Sequence, residues 1–126
     1  MLGATKAFGS YAIDDLQQAR RFYEETLGVG TTVMSEEFGV MSLNLAGDPD
    51  PVLYVKPDYV AANFTVLNFP VDDIDAAVDE LAGRGIVFER YEGMPQDEKG
   101  VMREAGPLVA WFKDPAGNIL SVMQER

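Results

Sequence analysis

The chain has 126 residues, 47% of them hydrophobic, which suits one domain able to bury a core without staples. It contains neither cysteine nor histidine, which excludes disulfide frameworks, thiol and Ser-His-Asp nucleophiles, and thiolate or imidazole metal sites. Ten basic against 21 acidic residues leave a net charge of −11, which repels nucleic-acid backbones and favours a cationic small molecule or simply a soluble surface.

The opening Met1-Leu2-Gly3-Ala4-Thr5-Lys6-Ala7 lacks the basic and apolar regions of a signal peptide. No apolar run approaches a membrane span, so a cytoplasmic protein with no membrane or nucleic-acid partner is expected. A strand is predicted over 5–13. A helical stripe follows, with Leu16, Ala19, Tyr23 and Leu27 spaced by three and four and Phe22 beside them. Asp14 is the expected N-cap, with Gln17 completing a capping-box-like pair, and Gly28 offers the left-handed C-cap. Strands are predicted over 30–35, 39–45 and 52–56, broken at Gly39 and at Asp48-Pro49-Asp50-Pro51.

The same order then begins again. A strand runs from Phe64 to Phe69, and Val71-Asp72-Asp73-Ile74 repeats Ile13-Asp14-Asp15-Leu16 at an offset of 58. A second helix turns Ile74, Ala77, Val78 and Leu81 inward and stops around Gly83-Arg84-Gly85. Strands at 86–90, 108–113 and 118–123 follow, with Asp114-Pro115-Ala116-Gly117 suited to a type I turn. The pattern predicts a single α+β domain of two βαβββ modules, about 1–58 and 63–126, joined near Asp58-Tyr59. Each module would have one sheet face covered by its helix and one bare face. Paired, the bare faces would form an open, curved trough for a small ligand.

Alternation puts Phe8 with Ser10, Val66 with Asn68, and Ile119 with Ser121 and Met123 on trough-facing positions. Phe8, Tyr54, Trp111 and Met123 could line it for a planar or cationic ligand, or could equally be core. Ser10, Asn68 and Ser121 are neutral polar groups that must find a partner or serve a ligand there. The irregular stretch from Tyr91 to Pro107 reads as a flap, with Asp97, Glu98 and Lys99 as its candidate polar groups, or as a solvated connection. Asp14-Asp15 and Asp72-Asp73 are read as helix caps rather than acid–base pairs. Asp48-Pro49-Asp50 is a turn without the rest of a calcium loop, and no glycine-rich phosphate loop is present.

The run Arg21-Phe22-Tyr23-Glu24-Glu25-Thr26-Leu27-Gly28, the two Asp-Asp caps, and Trp111-Phe112-Lys113-Asp114-Pro115-Ala116-Gly117-Asn118-Ile119 together resemble the vicinal oxygen chelate superfamily. That superfamily includes glyoxalase I, extradiol dioxygenases, fosfomycin-resistance enzymes and bleomycin-binding proteins. The resemblance implies a glyoxalase-like fold and a homodimer. It also implies metal-ligand positions, which fall on Phe8, Val66, Ser121 and a fourth near Tyr54. Phe8 and Val66 offer no lone pairs and a hydroxyl is a poor ligand alone, so neither a metal nor another cofactor is expected. Three functions stay open. The chain could bind a small cationic or aromatic molecule, act as a metal-independent lyase or isomerase through carboxylates and Lys99 of the 91–107 loop, or serve as an interaction module whose trough is filled.

Overall fold

In the computed structural model, which describes residues 1–104 and 106–126, the chain divides into two units, Met1–Ala61 and Ala62–Arg126. The fold is α+β, with one open mixed sheet in each unit.

The first unit contains β1 (Ser10–Ile13), α1 (Leu16–Arg21), β2 (Gly30–Ser35), β3 (Val40–Asn44) and β4 (Val52–Val55). Its strand order is β1-β4-β3-β2, with β1 parallel to β4 and the other pairs antiparallel. The first strand is shorter than predicted: only Ser10–Ile13 pairs, and Phe8 precedes it. Period-two alternation sorts the faces. Tyr11, Ile13, Met41, Leu43 and Leu53 are buried, and the Tyr11 hydroxyl lies 2.7 Å from that of Tyr23. That contact shows that the helical turn continuing α1 covers this face. Each fully buried aliphatic side chain of this set contributes roughly 1.5–3 kcal/mol of transfer free energy.

The helix cap is Asp15, not Asp14. Asp15 has extended backbone, its carbonyl accepts the first helical bond from Ala19 N, and its side chain accepts from Gln18 N at 2.9 Å. Only the residue whose carbonyl opens the helix can reach the free amides of the first turn. After Arg21 the helix widens into a π turn over Phe22–Thr26, and Gly28 closes it at φ 70.

The second unit contains β5 (Thr65–Pro70), α2 (Ile74–Gly83), β6 (Leu108–Lys113) and β7 (Ile119–Gln124), in the order β5-β7-β6. Again the first strand is parallel to the last and the other pair is antiparallel. Asp73 caps α2 by accepting from Ala76 N at 3.1 Å, as Asp15 does 58 residues earlier. Gln124, in phase with Leu120 and Val122, accepts from Ile74 N at 2.9 Å, so α2 covers that face. The turn at Asp114 forms as predicted, with Gly117 N donating to Asp114 O at 2.9 Å.

Residues 86–90 do not form the predicted strand. The outer edge of β6 is divided between two segments. Val109 exchanges both backbone bonds with Met102, at 2.8 and 3.3 Å, and the Trp111 carbonyl accepts from Glu89 N at 2.8 Å. One bond cannot make a ladder, yet side-chain alternation survives: Phe88 packs edge-on to Phe112, Glu89 reaches Lys113 at 3.6 Å, and Tyr91 meets Trp111. The second module is therefore βαββ, with an irregular segment beside β6 where its second strand was expected.

Candidate functional site

The sheet faces turned away from the helices carry the residues of interest, and each unit has its own set. In the first unit, Ser10 and Ala12 of β1 share a face with Val52 and Tyr54 of β4, because Ser10 pairs with Val52 and Ala12 with Tyr54. Tyr54 is 37% exposed and Phe8, outside the strand, 60%.

In the second unit, Asn68, Ser121 and Trp111 stand in one row across β5, β7 and β6, on the face opposite α2. Ser121 is fully buried, and its hydroxyl donates to Asn68 Oδ1 at 2.5 Å. The Ser121 hydroxyl, one of the two neutral polar groups singled out in this module, thus finds its acceptor in the other. Met123 lies two positions along the same face, paired with Pro70 and Val109. Val66 sits at a register shift between Thr65 and Leu67 and has no cross-strand partner. An extra residue in one strand breaks the period-two rule at that point, which the sequence could not reveal.

Tyr91 was not among the predicted site residues, and it packs edge-on against Trp111, ring centroids 5.5 Å apart and planes at 74°. Its hydroxyl is buried and has no hydrogen-bond partner among the described residues. Burial, followed by the charge of Glu89, holds its phenol above the usual tyrosine range. The strand-like alternation of Phe88, Glu89 and Tyr91 was the one available signal for it.

Asp97, Glu98 and Lys99 are placed elsewhere. Asp97 accepts from the amides of Lys99 and Val101, at 3.0 and 2.9 Å, and from Arg103 Nε at 2.7 Å. Burial pushes its carboxyl up, but the Arg103 bond, these two amides and the guanidinium charge outweigh it and hold the group below its ordinary range. Lys99 bridges Asp79 at 3.0 Å and Asp75 at 3.6 Å, both on α2. The hydrogen bond to Asp79 is the main reason its ammonium is held above the usual lysine range. Glu98 is exposed and offers its backbone carbonyl to Arg90. Gln96 donates to the carbonyls of Glu89 and Gly100 and accepts from Tyr91 N, while Val101 is fully buried. The segment is a folded loop fastened to α2 rather than a free flap: Asp97 is paired within the loop to Arg103, and Lys99 and Arg103 reach carboxylates of α2. Ala105 of the predicted 91–107 stretch lies outside the described residues.

A separate open cleft of about 540 Å³ in the first unit lies between the start of α1 and the β2–β3 turn, where Asp14, Asp15, Glu36 and Glu37 meet Phe38 and Val55. Among the described residues no three acidic side chains converge closely enough to hold a metal ion. The four positions that family resemblance marks for metal ligands do not supply one either. Phe8 and Val66 are hydrocarbon, Tyr54 offers a single phenol, and the Ser121 hydroxyl is engaged with Asn68. The residues present do not fit a metal centre of that kind.

The family model described as Glyoxalase/Bleomycin resistance protein/Dioxygenase superfamily matches residues 7–122. No curated protein matches the sequence. Among solved structures, a Bacillus anthracis protein described as of the glyoxalase family superposes with a TM-score of 0.71 at 21% identity, covering 100% of both chains. TnmS3, an antibiotic binding protein from Streptomyces sp. CB03234, gives 0.67 at 22% identity over 98% of each chain. A superfamily member from Sphaerobacter thermophilus DSM 20745 gives 0.67 at 20% identity, over 96% of this chain and 98% of the other. At such identities the likeness is one of fold. Among the described residues no helix is long and apolar enough to cross a membrane.

Proposed function

Because the chain belongs to the glyoxalase/bleomycin resistance protein/dioxygenase superfamily, we propose that it holds a small aromatic molecule reversibly, without a metal, against the sheet faces left bare by its helices. The observation that carries this reading is the row Asn68–Ser121–Trp111, with Tyr91 bracing the indole: an aromatic platform and an exposed amide on the face opposite α2. The antibiotic-binding relative of the same fold supports binding rather than turnover. A lyase or isomerase built on the loop carboxylates and Lys99 has less support: Asp97 and Lys99 are engaged in ion pairs with Arg103 and α2, which leaves exposed Glu98 without the lysine as its partner. The assembly that goes with this reading is a homodimer, for which light scattering would give twice 13.8 kDa.

A thermal-shift screen of aromatic compounds tests the proposal. A compound at a hundred times its Kd should stabilise the fold by about 2.7 kcal/mol through mass action and be recovered unchanged by mass spectrometry. The gain should vanish in Trp111→Ala. A screen without a stabiliser, or conversion of the bound compound, would overturn it.

A further inference from the structure

The Ser121 side chain has no exposure, and its hydroxyl carries one proton, which goes to Asn68 Oδ1 at 2.5 Å. Were the Asn68 amide turned over, Ser121 would accept from Nδ2 instead. Its own buried proton would then have no acceptor among the described residues, at a cost of about 1–3 kcal/mol. The buried hydroxyl therefore fixes which way the amide points. Asn68 itself is exposed, and neither N–H of its Nδ2 has a partner among the described residues. The result is a donor pair oriented from below by Ser121 and open above. Trp111 lies two strands away in the same row, roughly 10 Å at ordinary strand spacing, which is about the length of a bicyclic arene with a short substituent.

We infer that Asn68 is a specificity-determining hydrogen-bond donor, and that the molecule held on this face is a planar aromatic bearing an acceptor oxygen, a carbonyl, rather than an organic cation. The inference rests on the reading of this face as the binding site and goes beyond it by naming the ligand class. A preoriented N–H pair rewards an acceptor and offers nothing to an ammonium group, whatever the sign of the protein's overall charge.

The test uses three probes of nearly one shape: 2-acetylnaphthalene, 2-isopropenylnaphthalene, in which a methylene replaces the carbonyl oxygen, and the trimethyl-(2-naphthyl)ammonium cation. The chain has a single tryptophan, so ¹⁵N-labelled protein reports binding through one indole N–H signal. The ketone should shift that signal and the Asn68 side-chain amide together, and bind about 10-fold more tightly than either other probe, the worth of one good hydrogen bond. In Asn68→Asp, which keeps the acceptor for Ser121 and so the local fold, the preference over the alkene should fall to one or below and the cation should bind more tightly than the ketone. Ser121→Ala, which frees the amide to turn, should lower the preference over the alkene as well. Equal binding of ketone and alkene by the wild type, its preference for the cation, or a preference untouched in Asn68→Asp would overturn the inference while leaving the binding face intact. If no probe moves the Trp111 signal, the reading of the face falls, and the inference with it.

Discussion

Arg103 donates from Nε to Asp97 Oδ2 at 2.7 Å, which closes the loop after Tyr91 on itself before it docks on α2. The same guanidinium reaches Asp75 of α2 at 2.5 Å, so one side chain joins the loop's internal turn to the helix.

This geometry makes stability depend on acid pH with a definite sign. The folded-state carboxyl of Asp97 lies below its ordinary value of 3.8, so its contribution is fully present above that value and is lost as pH falls through the lower folded-state value. Urea midpoints measured between pH 7 and pH 3 should fall more for the wild type than for Asp97→Asn, which retains the oxygen that accepts from Lys99 and Val101. Asp97→Ala should cost a further 1–2 kcal/mol or so at neutral pH, because those two amides lose their acceptor.

The repeated cap gives a paired prediction. Asp15→Ala and Asp73→Ala should each cost about 1 kcal/mol, since each side chain satisfies an otherwise free amide of its helix. Asp14→Ala and Asp72→Ala should stay within about 0.5 kcal/mol, as expected of surface positions outside such a bond. Equal losses at both members of either pair in denaturant titrations would refute the assignment.

Gly39 sits in the turn between β2 and β3 at φ +66, where a Cβ would come within 2.6 Å of Val55 Cγ2. Gly39→Ala should therefore lose roughly 2 kcal/mol or more, from left-handed backbone strain and from the clash. The double variant Gly39→Ala/Val55→Ala should show positive coupling, recovering the steric part and leaving the backbone part.

The orphaned Tyr91 hydroxyl predicts an unusual outcome for a half-buried aromatic. Tyr91→Phe should be neutral or stabilising by up to about 1 kcal/mol, because it removes a buried polar atom that has no partner among the described residues and keeps the ring against Trp111. Tyr91→Ala should instead destabilise by about 3 kcal/mol, in the range of lost buried aromatics. Thermal melts of the two variants compared with the wild type decide it.

Much of the fold was legible because it rests on local signals. The strands at 30–35 and 108–113, the Asp114 turn and the two-helix repeat follow from alternation, turn chemistry and three-four spacing. The strand expected at 86–90 failed although its side chains alternate correctly, because Met102, remote in sequence, takes part of the β6 edge it would have used. The helix cap was misplaced by one residue because Asp14 and Asp15 are chemically alike, and only backbone angles separate them.

For the site, the amino-acid order alone determined that Asn68 lies on one face of its strand, two residues from Val66, and that no histidine or cysteine stands ready for a metal. Alternation and residue chemistry are properties of a short stretch of chain, so they can be read there. That Ser121 lies opposite Asn68, that Val66 falls in a bulge, and that Lys99 and Arg103 face Asp75 were decided only by tertiary structure. Those facts depend on register and docking between segments 20 to 50 or so residues apart, where hydrogen bonds and ion pairs choose among arrangements with the same local pattern.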